Sequence, residues 1–342
     1  MNKILKIIPG FTLAILVAFC ARWLESLLPV HLIGASVIAL FIGMGINQIK
    51  QPNQLIATGL KFTSKKILKF AIVLLGASLS IGTILHVGKL SLTVMIFTLL
   101  TCFGGGYFIG KWLGLDWKLS NMISAGTGIC GGSAIAAIAP VIDADDKDIA
   151  YAMSATFIFD MIMIVLFPIM GHWMDLSDMA YGLWAGTAVN DTSSVVAAGY
   201  AFSEAAGDFS TMVKLTRTLS IIPAVLFFSL LNVHLTRKAN IAAQVDGDAP
   251  VKIKLTSLFP WFILFFIGMA VINSVGFIPV NLSSAMKNLS KFLMVAALAA
   301  IGMNTDFREM KNSGLNPMLH GFIISGLVVI VAIAVEYFMG II

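Results

Sequence analysis

Apolar runs long enough to cross a lipid bilayer follow one another along nearly the whole chain, from Ile8 to the C-terminus. A spanning helix needs about 20 mostly apolar residues, because it rises only about 1.5 Å per residue across a hydrocarbon layer of about 30 Å. With 58% of the 342 residues apolar and 11% charged, a water-soluble domain could not cover this apolar surface. We therefore predict an all-α integral membrane protein, with residues 1–342 forming a single polytopic domain.

The apolar runs define eleven candidate spans, and their flanking charges predict an orientation. The spans are Ile8 to Leu24, Leu32 to Ile46, Ile67 to Leu85, Leu90 to Gly110, Ser120 to Pro140, Ile149 to Met170, Ala180 to Tyr200, Val213 to Leu235, Thr256 to Val275, Leu289 to Met303 and Leu319 to Met339. With a cytoplasmic N-terminus, 15 of the 22 Lys and Arg residues fall inside. We predict a bacterial inner (plasma) membrane protein with its C-terminus outside and a cytoplasmic linker over residues 239–255.

Several classes of function lack their signatures in this sequence. The Lys and Arg residues lie in connecting loops and form no basic face, which argues against a nucleic-acid partner. An odd number of cysteines inside apolar runs, namely Cys20, Cys102 and Cys130, argues against a disulfide framework. A phosphate-binding loop, a metal-ligand spacing and a paired nucleophile and base are all missing from the sequence. We therefore expect no enzyme activity, no cofactor and no metal.

An internal repeat links the two ends of the chain. The segment Phe-Ile-Gly-Met-Gly-Ile-Asn from Phe41 resembles Phe-Ile-Gly-Met-Ala-Val-Ile-Asn from Phe266, and the same offset of 225 or 226 residues joins three further pairs: Lys66 and Lys291, Gly76 and Gly302, Gly88 and Gly314. The copies lie seven spans apart, so they would enter the membrane in opposite directions, as in inverted-topology transporters. The alternative is that Gly-containing apolar helices resemble one another by composition.

Two spans are interrupted near the membrane midplane. One contains Gly126, Gly128, Gly131 and Gly132, each costing about 1 kcal/mol of helix propensity relative to Ala. The other contains five consecutive polar residues, 190–194, and a carboxylate at mid-span costs about 2.5 to 3.5 kcal/mol. Unwound segments expose backbone groups that bind ions. The alternatives are close helix packing at the glycines and a hydrogen bond from Asn190 or Asp191 to a neighbouring helix.

Lys214 and Arg217 lie three residues apart and so share one helix face near the start of predicted span eight. A guanidinium is suited to a sulfate, sulfonate, phosphate or carboxylate, although both side chains could instead extend to the outer interface. Asp160 is a further intramembrane acid that could pair with Arg217 or carry a coupling proton. The predicted solute-binding residues are Gly128, Cys130, Gly131, Gly132, Ser133, Asn190, Asp191, Thr192, Ser193, Ser194, Lys214 and Arg217, and Asp160 and Asp191 are candidates for a coupling ion.

These segments, together with the helix ending Ala300-Ile-Gly-Met303, resemble the sulfate exporter family of YeiH-like bacterial inner-membrane proteins over nearly the whole chain. That family is similar to the wider cation/proton antiporter and bile-acid symporter grouping, whose members have inverted repeats and two unwound helices crossing at midmembrane. The resemblance implies a secondary transporter that exports a small inorganic or organic anion, such as sulfate or a sulfonate, with H⁺ or Na⁺ coupling. An anion channel, a cation-coupled carrier of another organic solute, and a homodimer remain open.

Overall fold

The computed structural model describes residues 3–27, 35–243, 261–305 and 314–342, and the regular elements within those ranges are helices. In chain order they are α1 Lys3–Leu27, α2 Ala35–Ile49, α3 Gln54–Phe62, α4 Leu68–Gly76, α5 Ile81–Leu100, α6 Gly106–Trp112, α7 Trp117–Ala125, α8 Gly132–Ile138, α9 Asp146–Trp173, α10 Asp178–Ala188, α11 Thr192–Phe202, α12 Glu204–Thr218, α13 Ile221–Ala243, α14 Trp261–Ser274, α15 Val280–Asn304 and α16 Leu315–Phe338. π-Helical turns at Thr63–Ile67, Thr101–Gly105 and Gly126–Cys130 connect α3 to α4, continue α5 into α6, and extend α7.

Six helical stretches in the described ranges are long and apolar enough to cross a membrane. They are Lys6–Leu27, Ile81–Trp112, Lys147–Trp173, Glu204–Leu235, Val280–Asn304 and Leu315–Phe338. Shorter apolar helices lie at Val37–Ile49, Gly132–Val141 and Trp261–Ser274. The prediction of an all-helical, multi-pass membrane protein is therefore confirmed.

The start of predicted span eight is wrong. The helix that contains Val213 is α12, which begins at Glu204 and is followed at Ile221 by α13. Apart from Phe209, residues 204–211 are small or polar, so the segment resembles a loop in hydropathy. They form a helix because glycines of α10 and α11 allow a close approach: a β-carbon on Gly186 would meet Val213, and one on Gly199 would meet the Ser210 hydroxyl.

The predicted linker, 239–255, is only partly within the described residues. Residues 239–243 complete α13, whereas residues 244–255 lie outside the described ranges, as does the predicted start of span nine at Thr256. The linker stays a prediction.

The helices pack as two bundles. The first bundle contains α1 to α4, α14 and α15, and the second contains α5 to α13 and α16. Contacts of α11 with α2 and α15, and of α14 with α5, join the bundles. Two ion pairs also join them, because Lys287 and Lys291 of α15 lie 2.6 Å from Asp208 and 2.7 Å from Glu204 of α12.

Backbone contacts fix the directions of helices in the first bundle. Asn47 of α2 donates to the carbonyl oxygen of Thr305 just after α15, and Gly302 lies against the Leu40 carbonyl. These contacts occur in the same order along both helices, so α2 and α15 are parallel.

Helices α4 and α14 make the same kind of contact. Asn273 Nδ2 donates to the Leu79 carbonyl oxygen at 3.2 Å, and Gly76 lies against the Phe266 carbonyl, so α4 and α14 are also parallel. Helix α15 runs antiparallel to α4, because Ser283 and Ser290 donate to the carbonyls of Ala77 and Ala71 in reversed order. It follows that α2 and α14 have opposite directions.

Candidate functional site at two helix breaks

The first break interrupts the helix of predicted span five. Helix α7 continues through the π turn Gly126–Cys130, and the chain then adopts a positive φ of 64° at Gly131 before α8 begins. Glycine reaches this conformation without the steric cost that a β-carbon imposes. The interruption lies within the glycine-rich segment that the sequence singles out.

The second break separates α10 from α11. Val189 and Asp191 are extended, with ψ values of 135° and 149°. Asp191 caps α11 by accepting hydrogen bonds from the backbone N–H of Ser193 at 2.9 Å and from the Ser193 hydroxyl. The polar run 190–194 therefore unwinds at its first two residues and starts a new helix at Thr192.

The two breaks touch each other. A β-carbon placed on Gly131 would lie 3.0 Å from both the β-carbon and the Oδ1 atom of Asp191. The unwound backbone of one helix therefore lies against the N-cap of the other, and the breaks form one site.

Two buried cations bind the carbonyls that the breaks release. Lys214 Nζ donates to the carbonyl oxygens of Ile129 at 2.9 Å and Val189 at 3.0 Å. Arg217 donates through Nε to Gly128 at 2.7 Å, through Nη1 to Val189 at 3.2 Å and through Nη2 to Thr127. These carbonyls carry the partial negative charge of helix C-termini, so cations stabilise them.

The burial of Lys214 and Arg217 excludes the alternative that both side chains extend to the outer membrane interface. Both side chains are buried, with relative exposures of 0% and 1%, and they point into the breaks rather than to an interface. They lie at depth because α12 begins well before them. A direct contact of Arg217 with an anion stays a prediction, since its three nitrogens donate to backbone carbonyls here.

Asp160 of α9 holds the start of the second break. Its Oδ1 accepts the backbone N–H of Asn190 at 2.9 Å, and its Oδ2 accepts that of Asp191 at 2.8 Å. These hydrogen bonds go to the break, not to the guanidinium of Arg217. Asp160 is also buried, with 1% exposure, so its carboxylate is a structural partner of the unwound backbone.

The accessible part of the site is small. Ser133 is exposed, and Gly132, Asp191 and Thr192 are partly exposed. The other predicted site residues in the two segments are buried: Gly128, Cys130, Gly131, Asn190, Ser193 and Ser194. The exposed part of the two breaks is therefore at the starts of α8 and α11, and the side chains of Lys214 and Arg217 are enclosed behind it.

Sequence reasoning missed a third contributor, Ser325 of α16. Its hydroxyl lies 3.3 Å from Asn190 Nδ2 and 3.4 Å from Thr127 Oγ1, so it touches both breaks. Asn190 Oδ1 is buried and makes no hydrogen bond with the described residues. A single serine in an apolar helix gives almost no signal in the sequence.

Glu336, also in α16, is a stronger signal in the sequence than Ser325. An acid inside an apolar span is a functional candidate by default. Glu336 is fully buried, and neither carboxylate oxygen has a hydrogen-bond partner among the described residues. It lies three helical turns beyond Ser325 and is not part of the break site.

The chain matches a family over most of its length. Residues 9–321 match the family described as conserved hypothetical protein 698. A UPF0324 membrane protein of Clostridium tetani (strain Massachusetts / E88) is 56% identical over 334 residues, which cover 97% of each chain. UPF0324 membrane proteins of Streptococcus mutans and Fusobacterium nucleatum are 37% and 36% identical, and the matches cover 97% of this chain and 97% and 98% of theirs. The chain belongs to this family of UPF0324 membrane proteins.

Proposed function

We propose that the protein is a secondary active transporter of a small anion, with sulfate or a sulfonate as the expected class, coupled to H⁺ or Na⁺. The observation that carries the proposal is the contact between Gly131 and Asp191, which joins two broken helices inside a multi-pass membrane protein. Discontinuous helices of this kind form the solute sites of secondary transporters. The resemblance to sulfate exporters agrees with this assignment.

An inverted repeat is part of the proposal. Asn47 and Asn273 are 226 residues apart, and so are Leu79 and Thr305, the residues whose carbonyls they bind. The same offset relates the two close glycine contacts, Gly302 with Leu40 and Gly76 with Phe266. Equivalent contacts at a constant offset, on helices of opposite direction, favour two inverted copies over a chance likeness in composition.

We propose eleven crossings, counting each broken or continued helix once. The crossings are α1, α2, α3–α4, α5–α6, α7–α8, α9, α10–α11, α12–α13, α14, α15 and α16. An odd number and the distribution of Lys and Arg favour a cytoplasmic N-terminus and an external C-terminus. Reporter fusions at Asp246 and Ile342 test this arrangement, because both reporters on one side would reject the odd count.

The charges of the site favour binding of an anion together with a cation. Asp160 and Asp191 balance Lys214 and Arg217, so these four groups carry no net charge when all are ionised. An anion beside the partly exposed Asp191 would meet a carboxylate, and a proton or Na⁺ on Asp191 would remove that repulsion. The hydroxyls of Ser133 and Thr192 and the start of α11 would then contact the anion.

Reconstituted protein tests the proposed function. Proteoliposomes should take up labelled sulfate, sulfite, a taurine-like sulfonate or a carboxylate with saturable kinetics, whereas protein-free vesicles should not. Acceleration by unlabelled solute on the opposite side would indicate a carrier, and non-saturable flux that follows the membrane potential alone would indicate a channel. If none of the anions is bound or carried, the anion assignment is wrong.

A further inference from the structure

An apolar trough lies on the outer surface of the first bundle, between α4 and α14. Its volume is about 430 Å³, and its walls include Phe70, Val73, Phe262, Phe265, Met269 and Ile272. Phe70 is 50% exposed and Phe265 is 63% exposed, so the trough opens outward from the bundle. In a multi-pass membrane protein an outward-facing apolar surface of this kind meets lipid or another protein.

One end of the trough is basic. Lys69 lies there, with Nζ 5.4 Å from the ring centroid of Phe262. Lys65 and Lys66 lie one turn earlier on the same helical stretch, and all three lysines are exposed. The wall residues beyond Lys69 are apolar, so positive charge is concentrated where the trough begins.

The trough runs along α14. From Phe262 to Ile272 this helix rises about 15 Å. Helices α4 and α14 are parallel, so the trough follows their common direction. Gly268 lies in its wall, and a β-carbon there would meet no atom within 4 Å.

We propose that this trough binds an anionic phospholipid, with its phosphate at Lys65, Lys66 and Lys69 and one acyl chain along α4 and α14. Each Lys near an anionic headgroup contributes about 1 kcal/mol, and an apolar chain gains contact with the walls. A zwitterionic lipid has no net negative charge, so it would compensate the lysine charges less well.

Native mass spectrometry of the full chain in detergent tests the site with phosphatidylglycerol and phosphatidylcholine of identical acyl chains. Phosphatidylglycerol should bind saturably and at least about tenfold more tightly. Neutralising the headgroup site in Lys65→Gln/Lys66→Gln/Lys69→Gln should remove this preference. Filling the trough in Gly268→Leu should weaken binding of phosphatidylglycerol while the lysines remain.

Matched control variants separate the site from general effects. Lys50→Gln/Lys111→Gln removes exposed lysines elsewhere, and Gly104→Leu enlarges an exposed glycine whose β-carbon would also meet no atom within 4 Å. Both should bind phosphatidylglycerol like the unchanged protein. Equal binding of the two lipids, or full binding by well-folded Gly268→Leu, would overturn the proposal. A lipid-free dimer that Gly268→Leu dissociates would assign the trough to a second copy instead.

Discussion

Gly131 lies against Asp191, and a β-carbon on Gly131 would lie 3.0 Å from the Cβ and Oδ1 atoms of Asp191. This contact places the positive-φ turn of one broken helix on the N-cap of the other. The carbonyl side of the junction is bound by Lys214 and Arg217, and the amide side is bound by Asp160. The junction therefore has opposite charges on its two sides, with Ser133 and Thr192 at its accessible edge.

Gly131→Ala should destabilise the protein by about 1 to 3 kcal/mol, because a residue with a β-carbon is strained at positive φ and would press on Asp191. The matched control is Gly132→Ala, since a β-carbon on Gly132 would meet no atom within 4 Å. Thermal unfolding in detergent measures both. Equal stability of the two variants would contradict the proposed contact between the breaks.

Both interrupted segments could be predicted from the sequence, because the free-energy cost of helix formation there depends on the residues of each segment alone. Glycines at 126–132 and polar residues at 190–194 are unfavourable in an apolar helix whatever surrounds them. Partners of the freed carbonyls could not be predicted, since Arg217 is far in sequence from Thr127 and Gly128. The start of α12 was missed because its small residues match the glycines of α10 and α11, a property of packing and not of hydropathy.

Asp160→Asn should destabilise the protein by about 1 to 3 kcal/mol. Each carboxylate oxygen of Asp160 accepts one backbone N–H, from Asn190 and Asp191. An amide has only one acceptor oxygen, so one buried N–H would face the NH₂ group without a partner. Thermal unfolding checks this result, and a stability equal to that of the unchanged protein would mean that water or a rearranged backbone replaces the lost acceptor.

Unlike Asp160→Asn, Asp191→Asn should retain the stability of the fold. It should lose the coupling of anion binding to H⁺ or Na⁺. Asn is as good an N-cap as Asp, so the hydrogen bond to the Ser193 N–H can persist. Removing the negative charge should allow anion binding without an accompanying H⁺ or Na⁺. Anion affinity measured by calorimetry against pH and Na⁺ concentration tests this, and an unchanged dependence on both cations would exclude Asp191 as the coupling group.

Ser133→Cys should react with a membrane-impermeant maleimide, and a bound anion should protect it. Ser133 is exposed, whereas the adjacent Ala134 is buried, so Ala134→Cys is the matched control. Cys102 and Cys130 are buried, and the exposed Cys20 is removed by Cys20→Ser. Equal labelling at positions 133 and 134, or labelling at 133 that no tested anion slows, would contradict an accessible solute site at this edge.

Arg217→Lys should reduce flux about ten- to a hundredfold without preventing membrane insertion. The guanidinium reaches the carbonyls of Thr127, Gly128 and Val189 from three nitrogens, and the single ammonium of Lys cannot reproduce that fork. Losing one charge-assisted contact costs about 1.5 to 3 kcal/mol, which corresponds to this range of rates. Arg217→Ala should also lower thermal stability, because buried carbonyls lose their donors.

The control for Arg217 is Arg22→Lys, which changes an exposed arginine of α1 and should affect neither flux nor stability. Flux into proteoliposomes and thermal unfolding, measured on the same preparations, separate two roles for Arg217. Normal flux in Arg217→Lys would mean that positive charge alone is sufficient at the breaks. Normal flux in a well-folded Arg217→Ala protein would remove Arg217 from the site altogether, because the carbonyls of the first break would then function without the partner that the structure gives them.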